Sequence, residues 1–164
     1  MKKAVIAAIV AAAVVAGAWL LLSSKPMAPN TTFALLNGEQ VTVASLRGKV
    51  VLVNFWATSC PGCIKEMPSL VETQKNYRDR GFETVAVAMS YDTPAYVRTY
   101  TEKNALPFKV ALDSSGANAL AFGEVRLTPT SFLIDRQGHI VQRYLGEPDF
   151  AELHREIEHL LAAG

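Results

Sequence analysis

Along the chain, apolar runs of strand length alternate with longer stretches whose apolar positions recur every three or four residues. Thr32 to Leu36 and Gln40 to Val43 flank Asn37-Gly38, a dipeptide suited to the tight turn of a β-hairpin. Val50-Val51-Leu52-Val53-Asn54-Phe55-Trp56 is almost wholly apolar and begins with β-branched residues, which predicts a central strand covered on both faces. Ala57-Thr58-Ser59 leads from it into a helix predicted over residues 61–77 and ending near Gly81. Glu83 to Met89 repeats the buried-strand pattern. Thr93 and Pro94 open a helix that runs to about Lys103, with proline in its favoured first-turn position. Phe108 to Leu112 reads as a short strand and Ala117 to Phe122 as a short helix. Ser131 to Ile134 and His139 to Leu145 form a second hairpin across Asp135-Arg136-Gln137-Gly138. Asp149 caps a last helix in which Phe150, Leu153, Ile157, Leu160 and Leu161 share one face. The alternation shows no internal repeat and no low-complexity tract, and predicts one α/β domain over residues 31–164.

The first two dozen residues follow a different rule. Ala4 to Leu22 contains no charge and follows Lys2 and Lys3, and its length comes close to the roughly 20 residues that cross a bilayer as a helix. Residues 1–24 are therefore expected to form a membrane anchor with the amino terminus in the cytoplasm. Ala16-Gly17-Ala18 is the small-residue pattern that a signal peptidase reads, but the apolar run continues through Trp19, Leu20, Leu21 and Leu22, which favours an uncleaved anchor. The absence of a polar face argues against a buried helix of a soluble domain. Residues 25–30, with Pro26 and Pro29, are expected to form an extended, poorly ordered tether. The rest of the chain then lies outside the cytoplasm, where cysteine pairs can be oxidised.

Composition narrows the function. Half of the 164 residues are hydrophobic and 19% are charged, enough for one good core. Residues 25–164 carry 14 basic and 15 acidic side chains, a net charge of −1, with no basic run. That balance offers no electrostatic footprint for nucleic acid.

Both cysteines fall in Cys60-Pro61-Gly62-Cys63, at the head of the predicted helix. A thiol there faces free backbone N–H groups and the positive end of the helix dipole, which favour thiolate over thiol and lower its pKa. Cys60 is thus the expected nucleophile. Cys63, one turn on, is expected to be less exposed and close enough to resolve the mixed disulfide that Cys60 forms with a partner. Pro61 suits the first helical position, where its missing N–H is no loss, and Gly62 leaves room for a partner backbone. A purely structural disulfide closing so small a loop would add little stability.

Val53 to Pro68, which contains the cysteine pair, together with Thr128-Pro129-Thr130-Ser131-Phe132-Leu133-Ile134-Asp135, resembles the membrane-tethered thioredoxin-like proteins of bacteria, the extracytoplasmic thiol-disulfide oxidoreductases of the TlpA, ResA and CcmG type. The resemblance covers about residues 31–162. It implies a thioredoxin-like α/β fold, a mixed central sheet flanked by helices, with an N-terminal hairpin and an inserted strand and helix between about Ser90 and Asp113. It implies that the bond before Pro129 is cis and that Thr128 presents its backbone to a partner. Glu66, one helical turn after Cys63, is implied to join Cys60 and Cys63 in catalysis as a proton carrier, a role open to a partly buried carboxyl with a raised pKa. Asn54 stands where thioredoxin itself has a buried acid, which Glu66 is expected to replace. Trp56 is expected to pack in or near the site and to shape the surface around it, with Pro61, Gly62, Thr128 and Pro129 lining the partner site. Many relatives carry tryptophan just before the first cysteine, where this chain has Ser59, so their substrates transfer to it less firmly.

The resemblance further implies a monomer with no cofactor beyond the redox-active disulfide. Its implied partners are exported cysteine-containing proteins such as apocytochrome c, and a transmembrane thiol electron donor. Reduction is the expected direction, with oxidase or isomerase activity as the alternative. A copper-binding thiol module is a second alternative, although two cysteines leave a zinc shell incomplete and no histidine lies nearby in sequence. No resident metal is expected. A peroxidase of the peroxiredoxin kind would need threonine at the position of Ala57, and a docking module would need neither cysteine. His139, His154 and His159 are scattered, the last two on the polar side of the final helix, and Met67 and Met89 read as core fillers. Pro68 is expected to kink its helix.

Overall fold

The computed structural model describes residues 25–163, so the expected anchor over 1–24 lies outside the described residues. Among the described residues no helix is long and apolar enough to cross a membrane. The strands are β1 (Thr32–Leu35), β2 (Gln40–Thr42), β3 (Val50–Trp56), β4 (Phe82–Ala88), β5 (Lys109–Leu112), β6 (Thr130–Ile134) and β7 (Ile140–Leu145). The α-helices are α1 (Pro61–Tyr77), α2 (Pro94–Lys103), α3 (Ala117–Ala121) and α4 (Phe150–Ala162). Each element falls within a residue or so of its expected span, the usual uncertainty of element ends.

The sheet runs in the order β2-β1-β5-β4-β3-β6-β7 and is mixed. β3 pairs parallel with β4, and β4 parallel with β5, through the crossovers that contain α1 and α2. β6 pairs antiparallel with β3, and the two hairpins form the edges. The expected insertion is the α2–β5 unit, whose strand separates β1 from β4.

Every residue of β3 and β4 is buried, as the unbroken apolar runs predict. Alternation divides their side chains between two cores. Val50, Leu52 and Trp56 face one core with Cys63, Met67 and Leu70 of α1 and Leu153 and Ile157 of α4. Val51, Val53 and Phe55 face the other, with Phe33, Met89, Phe122 and Phe132. Asn54 interrupts the first of these faces, which places a polar group beneath α1.

The helix ends carry their own signals. Asp149 accepts a hydrogen bond from the N–H of Glu152 at 3.0 Å, the N-cap read from the sequence. Gly81, at φ +96°, closes the turn after α1 in a left-handed conformation that glycine adopts without strain. Asp113 is buried and accepts from the N–H groups of Asn118 and Ala119 at 3.0 and 2.8 Å, which pins α3.

Two expectations are corrected. The tether is not free over Pro26–Ala28: the N–H of Ile140 donates to Pro26 O and that of Ala28 to Gly138 O, each at 2.8 Å, and Ala28 is buried. The segment is held because the β6–β7 turn offers it unpaired backbone groups. His154 is not on a solvated face. Its Nε2 lies 2.8 Å from Thr73 Oγ1 and its ring packs on Tyr77 and Phe150, joining α4 to α1.

Because Leu153 is fully buried where α4 meets the sheet, Leu153→Ala should leave a cavity and cost about 2–5 kcal/mol. Urea unfolding should show a lower midpoint at an unchanged slope.

Candidate thiol-disulfide exchange site

β3 ends at Trp56, and Ala57-Thr58-Ser59 turns the chain so that Cys60 becomes the N-cap of α1, with Pro61 in the first helical turn. Cys60 and Cys63 are joined in a disulfide. Cys60 is partly exposed and Cys63 fully buried, so only the first sulfur can meet a partner. The N–H of Cys63 donates to Cys60 Sγ at 3.2 Å. Once the bond is reduced, that N–H and the helix dipole act on the same sulfur and stabilise its thiolate.

The start of β6 forms the opposite wall. The Thr128–Pro129 bond is cis, the form the resemblance implies, and Thr128 O lies 3.5 Å from Cys60 Sγ. Pro129 is buried, and its Cδ would lie 3.5 Å from a Cβ added at Gly62, so the two chain segments are in close contact there. Pro61 is exposed and Thr128 half-buried, whereas Trp56 is fully buried against Tyr100, with ring centroids 5.4 Å apart. Trp56 therefore shapes this surface only from beneath.

Glu66 is fully buried behind the pair. Asn54 Nδ2 donates to Glu66 Oε1 at 2.8 Å and to Ser131 Oγ at 2.9 Å. Glu66 Oε2 and Asn54 Oδ1 have no protein partner. Burial pushes the Glu66 carboxyl up from 4.5 to about 7, against the opposing effect of the Asn54 hydrogen bond and with a smaller push from the charge of Glu147. A carboxyl that gains and loses its proton near neutrality thus lies one turn from Cys63 on the buried side of α1.

Cys60, Pro61, Gly62, Cys63, Thr128 and Pro129 lie together in the structure, with Trp56 and Glu66 beneath them. Ser131, Thr58, Asp92 and Tyr91 went unnoticed in the sequence. Asp92 takes the N–H of Thr58 and its hydroxyl at 2.6 Å each, and the N–H of Thr93 at 2.9 Å. An acidic residue just before Thr93-Pro94 was the available signal, but its long-range partner had none. His139 lies in the β6–β7 turn beside Asp135, and His159 is exposed on α4. Among the described residues no group of three or more His, Cys, Asp or Glu could hold a metal.

A mixed sheet with a cysteine pair at the start of the helix after its central strand, faced by a cis-proline, defines a thioredoxin-like domain with a thiol-disulfide site. Residues 23–157 match the Redoxin family, and the chain belongs to it. It is 37% identical over 120 residues to the thiol-disulfide oxidoreductase ResA of Bacillus anthracis, covering 73% of this chain and 68% of that protein. To ResA of Bacillus thuringiensis subsp. konkukian it is 34% identical over 131 residues, covering 80% and 75%. The solution structure of a Neisseria meningitidis protein described as a thioredoxin superposes with a TM-score of 0.78 at 41% identity, covering 85% of this chain and 92% of that one. A thiol:disulfide interchange protein of Chlorobium tepidum TLS gives 0.77 at 30% identity, covering 85% and 98%. The chain is a ResA-like thiol-disulfide oxidoreductase that carries a Cys60–Cys63 pair.

Glu66 binds its proton more tightly in the folded protein than in the unfolded chain, so its protonated form favours folding at low pH. That contribution is complete below about pH 4.5 and is lost as the pH rises through about 7, a change of roughly 3 kcal/mol. Glu66→Gln should remove this fall. Denaturant unfolding of both proteins across pH 4–8 should give converging stabilities at the acid end and a deficit in the natural protein above pH 7.

Proposed function

We propose that this domain is held outside the cytoplasmic membrane by residues 1–24 and reduces disulfides in exported proteins, apocytochrome c among them. The observation that carries the exchange chemistry is the accessible Cys60 sulfur, set at the N-terminus of α1 and 3.5 Å from the carbonyl of Thr128. The uncharged run Ala4 to Leu22 supports the location. A transmembrane thiol carrier supplies the electrons, and the monomer needs no further cofactor.

In the proposed cycle the Cys60 thiolate attacks one sulfur of the partner's disulfide. A Cys60–partner bond forms, the partner's S–S bond breaks, and its second sulfur leaves as a thiolate that takes up a proton. Cys63 then loses its proton and attacks Cys60 Sγ. The internal disulfide forms, the partner's first sulfur leaves reduced, and two electrons have passed to the partner. Glu66 accepts the Cys63 proton, which its affinity near neutral pH permits. During this exchange the backbone of Thr128 pairs with the extended segment around the partner's cysteine.

Equilibration with glutathione should give the Cys60–Cys63 couple a potential at or below about −200 mV. A value near −120 mV, roughly that of a strong oxidant, would overturn the reductase reading. In cells, Cys63→Ser should accumulate mixed disulfides on Cys60, and Cys60→Ser should accumulate none. Glu66→Gln should slow the resolving step above pH 7 and flatten its pH profile; an unaltered profile would remove Glu66 from the proton path.

A further inference from the structure

Three of the exposed large hydrophobic residues lie at the Cys60 end of the sheet. Tyr91 is 60% exposed, Leu127 64% and Leu145 65%. Leu127 precedes Thr128, and Leu145 pairs with Thr130 while the next residue, Gly146, donates its N–H to Pro129 O at 2.8 Å. Tyr91 comes from a different part of the chain, the connection between β4 and α2. Its hydroxyl lies 3.2 Å from Thr128 Oγ1, on the same residue whose carbonyl approaches Cys60 Sγ.

Tyr91 is also held from behind. Asp92 closes a turn through its N–H to Met89 O at 2.9 Å, and its carboxylate takes both the N–H and the hydroxyl of Thr58, two residues before Cys60. The β4–α2 connection is thereby tied to the turn that carries the nucleophile. An aromatic residue held at its hydroxyl and followed by a pinned turn residue, yet largely exposed, presents apolar area with little ordering left to lose on binding. Ser59, exposed, small and polar, leaves the rim on its own side open.

We infer that Tyr91, positioned by Asp92, is a specificity-determining residue that selects partners with an apolar residue within one or two positions of the cysteine that bonds to Cys60. The inference rests on the exchange reading above. Cys60 Sγ, the atom to which a partner sulfur bonds, lies 3.5 Å from Thr128 O, and the Tyr91 hydroxyl lies 3.2 Å from Oγ1 of that same residue, so at roughly 3.3 Å per extended residue the partner's neighbouring positions come alongside the tyrosine. An apolar side chain next to that cysteine reaches the ring, with Leu127 on the same rim, whereas a charged one would lose hydration there without gaining a partner.

The test uses the full chain in detergent, reduced with dithiothreitol and freed of it, in single-turnover reactions with three probes. Two are disulfide-looped peptides that differ only in the residues flanking their cysteines, Phe and Leu in one and Asp in the other; the third is 2-hydroxyethyl disulfide. The natural protein should prefer the apolar peptide. Tyr91→Ala should slow that reaction roughly tenfold, the worth of part of one aromatic face, and leave the other two probes within about twofold. Tyr91→Phe should retain most of the preference. Asp92→Ala should lose it with the tyrosine still in place, and preference retained there would overturn the positioning by Asp92. An equal loss on all three probes, or a preference unchanged in Tyr91→Ala, would overturn the assignment. Exchange with 2-hydroxyethyl disulfide but with neither peptide would also overturn it, whereas failure of the natural protein on every probe would bring down the exchange reading as well.

Discussion

Burial of β3 on both faces is the constraint on which the rest of the molecule depends. A strand with helices and loops on either side can expose chain only at its ends, and at the end beyond Trp56 the backbone must turn back over the sheet as α1. The residue that this turn delivers to the helix start is Cys60. Position favours its thiolate, because the Cys63 N–H in the first turn of α1 donates to a sulfur that the sheet holds near the surface. Cys63, one turn on, is drawn into the same core as Leu52 and Leu70. The two sulfurs are chemically alike and become unlike through burial.

The same strand supplies the polar exception. Asn54 points into the core that α1 covers, and its amide satisfies one oxygen of Glu66 and the hydroxyl of Ser131 while leaving Glu66 Oε2 without a protein partner. An apolar residue at 54 would leave the carboxyl with neither oxygen bonded. A fully satisfied carboxylate would titrate far below neutrality. A half-satisfied carboxyl, held near its midpoint at physiological pH, is the compromise that this network produces.

Specificity is built from elements remote in sequence. Thr128 arrives just before β6, Tyr91 and Asp92 on the connection before α2, and Thr58 on the turn after β3. The inserted α2–β5 unit therefore does more than widen the sheet. Its leading turn reaches the rim of the reactive pair, where it can vary without disturbing the chemistry below.

Local sequence was enough for the elements, because the apolar runs of β3 and β4 and the cap and turn residues Asp149, Asn37-Gly38 and Gly81 each act within a few residues of themselves. It was enough to propose Cys60 as the nucleophile, since a cysteine at the start of a helix needs no distant partner to be activated. The thioredoxin-like family was likewise legible in the spacing of two short motifs. Only the tertiary structure decided that Glu66 is wholly buried and bound to an Asn54 that also holds Ser131, that Pro26–Ala28 is strapped to the β6–β7 turn, that His154 packs on Tyr77, and that Tyr91 and Asp92 belong to the site. Each of these depends on contacts between segments distant along the chain, and no local periodicity or propensity encodes which segments will meet.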